Sequence, residues 1–147
     1  MEQQLNLVTL GVGDLAASRR FYTDGLGWSP EFEVEGEVTF YQVGHGLLLG
    51  LFGADDLATD ATRPLTKGNT FSLAYIVQDR PKVDEAVARV RAAGGDVLKE
   101  PVVAAFGGYH AYIADPDGYL WEIATNPGFS VDDDGNTHIG PFDAEEA

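Results

Sequence analysis

Two apolar segments, over residues 5–12 and 71–77, occupy equivalent positions in the two halves of the chain. An aspartate stands two residues after each segment, Asp14 in the first half and Asp79 in the second. Short apolar runs bounded by turn-forming residues predict buried strands. Because the pattern occurs twice, we predict two copies of one structural unit.

A helix is predicted after each strand. Asp14 and Asp79 can cap the helix N-termini, and Pro81 falls in a first turn, where its missing N–H costs nothing. Glycines near the expected ends suit left-handed C-caps. The second helix has an apolar stripe at helical spacing, formed by Val83, Ala86, Val87 and Val90.

Short strands should follow each helix. We predict them over residues 31–35, 38–43 and 47–52 in the first unit, and over 97–99, 102–105 and 109–125 with its turn in the second. A βαβββ unit alone leaves one sheet face bare, so the two units must bury their faces together or against another subunit. The prediction is an α+β fold in which tandem βαβββ modules form a curved eight-stranded mixed sheet around a cavity.

The boundaries follow from composition. Module one covers residues 1–55, a polar linker covers 56–69, and module two covers 70–127, so residues 1–127 form one domain. Residues 128–147 form an acidic tail, which we expect to be an arm or partly disordered.

Charge and composition exclude several classes of function. Nine Lys and Arg against 24 Asp and Glu give a formal net charge of −15, which repels nucleic acid and anionic lipid surfaces. The absence of cysteine excludes disulfides, a thiolate nucleophile and cysteine-bound zinc. No apolar run reaches about 18 residues and no signal peptide is recognisable. We therefore expect a cytoplasmic protein with neither a nucleic-acid nor a membrane partner.

Three stretches resemble a known family when they are taken in this order and at this separation. They are LVTLGVGDLAASRRFYTDGLGW at 7–28, TFSLAYIVQDRPKVDEAVARVRAAGG at 70–95 and FGGYHAYIADPDGYLWEIATNP at 106–127. The chain resembles the vicinal oxygen chelate superfamily, which includes glyoxalase I, bleomycin-resistance proteins, fosfomycin-resistance enzymes and extradiol dioxygenases. The resemblance implies the glyoxalase/bleomycin-resistance fold, a ligand site within the sheet and a homodimer.

The resemblance also identifies where a metal would bind in metal-dependent members. One ligand comes from the first strand and one from the last strand of each module, which corresponds here to Leu7, Gly50, Ser72 and Glu122. Only Glu122 has a plausible ligand atom. We therefore expect no metal and no other cofactor. A divalent ion at Glu122 and His110 is the alternative, although two ligands hold such an ion poorly.

The closing hairpin places further residues beside Glu122. The sequence Asp-Pro-Asp-Gly at 115–118 predicts a turn, and if Asp115 pairs with Tyr119, then Tyr112 lies opposite Glu122 and His110 opposite Ala124. Alternation then predicts that Ala111, Ile113, Trp121 and Ile123 pack beneath helices. If Glu122 points inward, as the resemblance implies, the candidate catalytic residues are Glu122, His110 and Tyr112.

Each candidate also has a structural interpretation. Glu122 can serve as a general base or as a structural carboxylate paired with a nearby hydroxyl or amide. His110 can act in acid–base chemistry or form a polar wall that hydrogen-bonds Tyr112. By module symmetry the remaining wall is mostly apolar and suits an organic ligand, unless these residues simply fill the core. These candidate ligand-binding residues are Leu7, Thr9, Phe40, Gln42, Leu48, Phe52, Ser72, Ala74 and Leu120.

Three functions remain open at this point. The prediction is a glyoxalase/bleomycin-resistance-like protein that binds a small organic molecule in a mostly apolar cavity without the standard metal centre. The alternative is a lyase, isomerase or dioxygenase-type enzyme that uses Glu122 and His110 as an acid–base pair or within an atypical metal site. A subunit that serves only in assembly is the third possibility.

Overall fold

A computed structural model of the chain describes residues 5–62, 64–65, 71–105 and 107–139. Module one contains β1 (Leu7–Val12), α1 (Leu15–Arg20) with a π-helical extension (Phe21–Gly25), β2 (Phe32–Val34), β3 (Val38–Gly44) and β4 (Leu47–Gly53). The short helix α2 (Ala54–Asp60) follows. Module two contains β5 (Leu73–Ile76), α3 (Arg80–Ala92), β6 (Asp96–Val103), β7 (Tyr109–Ala114) and β8 (Leu120–Thr125).

The strand order confirms the predicted α+β fold of two βαβββ modules. Each module forms a four-stranded mixed sheet, with the order β1-β4-β3-β2 in the first and β5-β8-β7-β6 in the second. The first strand of each module runs parallel to the last strand, and the other pairs are antiparallel. The eight strands thus lie in two separate sheets, since no strand pairing joins β1 to β5 in the described part of the chain.

The prediction of separate strands over 97–99 and 102–105 is wrong, because β6 is one strand from Asp96 to Val103. Pro101 lies inside it. A proline cannot donate to the sheet ladder, but β6 is an edge strand that pairs only with β7, where proline is tolerated. Two register shifts on either side of Lys99 also interrupt the alternation of side chains along β6.

Regular structure also occurs in the segments predicted as linker and tail. The helix α2 extends from the end of module one into the linker. After Pro127 the chain forms a hairpin of β9 (Phe129–Val131) and β10 (Thr137–Ile139), so this part of the tail is an ordered arm. Residues 63, 66–69 and 140–147 of these two segments lie outside the described residues.

The core lies between the sheets and the helices. The apolar stripe of α3 is buried as predicted, and Ala111, Ile113 and Ile123 of the second sheet lie beneath it, with Trp121 packed at the margin. In module one the buried hydrophobic residues are Leu10, Val12, Phe21, Tyr22, Tyr41, Leu49 and Leu51. Each sheet therefore has one face against α1 or α3 and an opposite face, here called the open face, although Leu57 of α2 and Leu65 cover Gly11 at one end of this face in the first sheet.

A buried carboxylate connects the two modules. Asp115 is 3% exposed, and its Oδ2 accepts a hydrogen bond of 2.7 Å from the hydroxyl of Tyr22 in module one. Its Oδ1 accepts the backbone N–H groups of Asp117 and Tyr119, at 3.0 and 2.8 Å. Burial raises the pKa of Asp115, although these hydrogen bonds oppose the shift, and burial also raises the pKa of Tyr22.

The turn that follows Asp115 adds further bonds between modules. Asp117 Oδ1 accepts the backbone N–H of Gly13 at 2.8 Å, and Oδ2 accepts the hydroxyl of Ser18. The hydroxyl of Tyr119 donates to the carbonyl of Gly11 at 2.9 Å. Gly118 ends the turn with φ of 85°, a conformation that favours glycine. We call the turn 115–119 and its bonds to module one the clasp.

Replacing Tyr22 with Phe removes the only side-chain donor that module one gives to Asp115 among the described residues. Because Oδ2 of this buried carboxylate would then lack its hydrogen-bond donor, we expect the free energy of unfolding to fall by about 1–3 kcal/mol. Urea unfolding measures the change. Tyr109→Phe is the matched control, since its hydroxyl donates to Asp84 at an exposed site and should matter by less than about 0.5 kcal/mol. Equal losses in both variants would contradict this role for Tyr22.

The raised pKa of Asp115 predicts a pH dependence. The folded state binds this proton more tightly than the unfolded state, so the resulting stabilisation is complete below the ordinary carboxyl pKa of about 3.9. It is lost as pH rises through the higher pKa of the folded state. The difference in unfolding free energy between the wild type and Asp115→Asn should therefore decrease with rising pH. An increase over this range, measured by urea unfolding, would refute the assignment.

Candidate functional site

The candidate residues of module one lie on the open face of the first sheet. A row of paired residues crosses this face from Thr9 through Gly50 and Phe40 to Phe32. The rings of Phe32 and Phe40 stack with centroids 6.4 Å apart, and Phe32 remains 57% exposed. None of these residues belongs to the buried core cluster. The row therefore places two aromatic rings on this face, with Phe32 largely exposed and Phe40 half-buried.

Phe40 and Leu7 cover Gly50. A Cβ atom at Gly50 would lie 2.9 Å from Cε1 of Phe40 and 3.4 Å from Cδ1 of Leu7. The first distance is shorter than a van der Waals contact, so a larger side chain at this position would have to displace the Phe40 ring. The two apolar side chains occupy the space into which a side chain at position 50 would extend.

The remaining candidates of module one flank this row. Leu7, Leu48 and Gln42 form the next row, and Phe52 pairs with Val38 on the other side. The Gln42 amide donates to the carbonyls of Leu47, at 3.0 Å, and Gly44. Gln42 therefore uses its amide N–H groups to stabilise the β3–β4 hairpin, where the register shifts.

The open face of the second sheet has the predicted register. Tyr112 pairs with Glu122, and His110 pairs with Ala124. The row that contains Glu122 continues to Ala74 on one side and through Tyr112 to Lys99 on the other. Leu120 begins β8 opposite Ala114, and Ser72 is an exposed residue directly before β5.

His110 connects Glu122 with Lys99. Its Nδ1 lies 3.0 Å from Oε1 of Glu122, and its Nε2 lies 2.9 Å from Nζ of Lys99. The imidazole is 9% exposed, whereas Lys99 lies at the exposed edge strand. A lysine ammonium can only donate, so Nε2 of His110 accepts this hydrogen bond. Nδ1 then bears the proton and donates a hydrogen bond to Glu122. The arrangement thus selects the neutral Nδ1–H tautomer of His110.

These bonds correct the structural interpretations of two candidates. The structural alternative for His110 is a hydrogen bond to Tyr112, but their rings meet edge to face with centroids 5.7 Å apart, and both ring nitrogens have other partners. The structural alternative for Glu122 is a hydroxyl or amide partner, whereas the structure pairs it with the imidazole. Both expectations omitted the diagonal neighbours of an antiparallel pair, which long side chains can reach.

Sequence reasoning missed Lys99. Val102 pairs with His110 and Lys99 pairs with Tyr112, so three residues of β6 span two residues of β7. Simple alternation from Val102 would place Lys99 on the helix side of the sheet, but this bulge moves it to the open face. The sequence signal was Pro101, which often marks a bulge or an edge within a strand.

The residues at the four family metal positions do not fit a metal ion. Leu7 and Gly50 offer no donor atom, Ser72 offers one hydroxyl, and Glu122 already binds His110. Catalytic metal sites usually have three protein ligands. Among the residues described, no three or more His, Asp and Glu side chains are grouped so that they could hold a metal ion.

Two cavities adjoin the sheets without matching the predicted site. One of about 520 Å³ includes Gln42, Leu48 and Ala74 of the predicted wall, together with residues of the helix side. Another of about 310 Å³ lies between α3 and the helix side of the second sheet, and it contains none of the candidates. The other candidate residues of both modules line neither cavity within a single chain.

The sequence is similar to a known family and to proteins of that family. Residues 4–123 match the family model described as the Glyoxalase/Bleomycin resistance protein/Dioxygenase superfamily. A protein of Vibrio cholerae named "Probable lactoylglutathione lyase" is 34% identical over 128 residues, which cover 80% of this chain and 86% of that protein. The anthracycline biosynthesis protein DauV of a Streptomyces species is 31% identical over 125 residues, but the match spans 44% of its length.

A solved structure of a related protein has the same fold. The crystal structure of a glyoxalase-related enzyme from Fulvimarina pelagi superposes with a TM-score of 0.88 at 38% identity, and the match covers 95% of this chain and 100% of that one. In the described residues no helix is both long and apolar enough to cross a membrane. The family model covers most of the chain and the two-module fold agrees with it, so this protein belongs to the glyoxalase/bleomycin resistance protein/dioxygenase superfamily.

Proposed function

We propose that this protein binds a small organic molecule on its open face and does so without the metal centre of metal-dependent relatives. The main support is the covering of Gly50 by Phe40 and Leu7, which puts apolar side chains at a family metal position. Glu122, the remaining carboxylate at such a position, is engaged by His110. A surface of this composition favours apolar contact over metal coordination.

The two open faces suit different parts of one ligand. The first sheet offers aromatic and aliphatic side chains, with Leu7 39% exposed beside the Phe32–Phe40 stack. The second offers the bonded group of Glu122, His110 and Lys99 next to Tyr112. A ligand with an apolar body and one polar end would find complementary surface on both.

A second copy of the chain would complete the site. The open faces leave apolar side chains such as Phe32 and Val102 in contact with solvent, and the candidates do not close into one cavity within a single chain. Bringing the open face of one module against the other module of a second copy would bury these residues. We therefore include a homodimer in the proposal.

An enzymatic function is the second candidate. A carboxylate that receives Nδ1–H orients an imidazole for acid–base work at Nε2, as isomerases and lyases require. The relative named a probable lactoylglutathione lyase agrees with such chemistry. In the present arrangement Lys99 occupies Nε2, so His110 could accept a substrate proton only after Lys99 moved away.

The binding proposal can be tested with a neutral apolar fluorescent probe, N-phenyl-1-naphthylamine. Phe40→Ala removes part of the aromatic surface, so we expect affinity for the probe to fall about 10-fold or more. Tyr75→Ala is the matched control, because Tyr75 pairs with the buried Ile123 on the helix side of the second sheet and lines both cavities, whereas Phe40 lines neither. Fluorescence titration distinguishes the sites. A loss confined to Tyr75→Ala would overturn the assignment to the open face.

The metal-free part of the proposal has its own test. We expect tag-free purified protein to contain metal well below one ion per chain by mass spectrometry, and its melting temperature to be unchanged by zinc, nickel, manganese or ferrous ions. Near-stoichiometric metal that disappears in Glu122→Gln would contradict the proposal and favour a metalloenzyme. An acid–base enzyme would instead lose about 100-fold or more in turnover in the same variant.

A further inference from the structure

We infer that the ligand of the open face is a small organic acid and that Lys99 binds its carboxylate. The inference rests on the proposed function and deepens it by naming the chemical class of the ligand. Three observations support it: the bulges that bring Lys99 to this face, the neutral partner of its ammonium group, and the apolar surroundings.

The pairing of β6 with β7 shifts register on each side of Lys99. Val97 pairs with Ile113, whose side chain is buried beneath α3, so Val97 lies on the helix side. Two residues further along, Lys99 pairs with Tyr112 on the open face, because a register shift separates Val97 from Lys99. A second shift separates Lys99 from Val102. Bulges commonly redirect a single side chain next to a binding site, and here they redirect a lysine.

The charge of Lys99 has no direct carboxylate partner among the described residues. Its Nζ donates to the neutral Nε2 of His110, whereas Lys82, Arg19 and Arg91 each contact a glutamate. A bond to a neutral acceptor leaves the ammonium group without an anion bonded directly to it. A ligand carboxylate would add the attraction of opposite charges, which a neutral imidazole does not supply.

Glu122 is not the carboxylate partner of the Lys99 ammonium group. Tyr112 lies between Glu122 and Lys99 in the same row, so their backbone positions are two strand spacings apart, about 10 Å. His110 occupies one oxygen of Glu122 and separates the carboxylate from the ammonium group. An acid bound at Lys99 would therefore meet the ring of Tyr112 before it met the charge of Glu122.

The neighbours of Lys99 select an acid with an apolar body. Tyr112 presents ring surface beside the nearly buried His110, and Val102 is 40% exposed on the same face. Such a surface gains free energy when it buries aromatic or aliphatic groups, and it offers little to a strongly hydrated anion such as inorganic phosphate.

The test compares 2-naphthoate with 2-naphthamide, which have the same shape and differ in charge. Isothermal titration calorimetry on the full chain should show that wild-type protein prefers the acid by about 10-fold or more. Lys99→Met should abolish this preference by weakening acid binding while amide affinity stays the same. Lys99→Arg should keep part of it. Lys82→Met and Arg89→Met should behave as wild type, since these side chains line the helix-side cavity.

A second measurement does not depend on affinity. In wild-type protein the ¹⁵N spectrum should show His110 as the Nδ1–H tautomer, and 2-naphthoate should shift the Nε2 resonance because Lys99 leaves it. In Lys99→Met the acid should leave this resonance unchanged.

The outcomes separate the inference from the proposal beneath it. Equal binding of acid and amide, or an acid preference that survives Lys99→Met, would overturn the inference while the neutral probe still binds. A preference lost in Arg89→Met would place the acid in the helix-side cavity and overturn it as well. If neither naphthalene compound nor the neutral probe binds, the proposed function fails and the inference fails with it. Equal urea midpoints for all variants ensure that folding does not cause the losses.

Discussion

The buried carboxylate of Asp115 lies where the two modules and the closing hairpin meet. It receives the Tyr22 hydroxyl from module one and two backbone N–H groups from its own turn, so a single side chain both joins the modules and shapes the β7–β8 hairpin. The turn sets the register of that hairpin. Since side chains alternate between faces, a slip of one residue would turn Glu122 and His110 towards the helices.

The two modules share one architecture and present opposite chemistry on their open faces. The row through Gly50 is apolar and aromatic, whereas the equivalent row through Glu122 contains Tyr112 and ends at Lys99. One duplicated fold therefore presents an aromatic surface in one module and a surface with charged groups in the other. This asymmetry, rather than a set of metal ligands, distinguishes the site, because the position equivalent to Glu122 is a glycine covered by Phe40.

Local rules predicted those parts of the structure that local interactions control. The repeat, the capped helix α3 and the pairing of Tyr112 with Glu122 follow from turn chemistry, N-caps and apolar periodicity. The errors occur where the chain departs from a regular period. β6 was divided at Pro101, and α2 went unnoticed because its helix lacks a side-chain N-cap and the segment is polar.

The two βαβββ modules and the faces of residues on β7 and β8 could be predicted from the sequence, because alternation and periodicity are properties of consecutive residues. The family followed from the resemblance of three stretches. The hydrogen bonds between side chains distant in sequence could be identified only in the tertiary structure. The clasp joins Tyr22 to Asp115, and a bulge brings Lys99 to His110, contacts that no periodic pattern encodes. Such contacts depend on how distant segments pack and on where one extra residue shifts the register of a strand. Both are properties of the folded chain and not of consecutive residues.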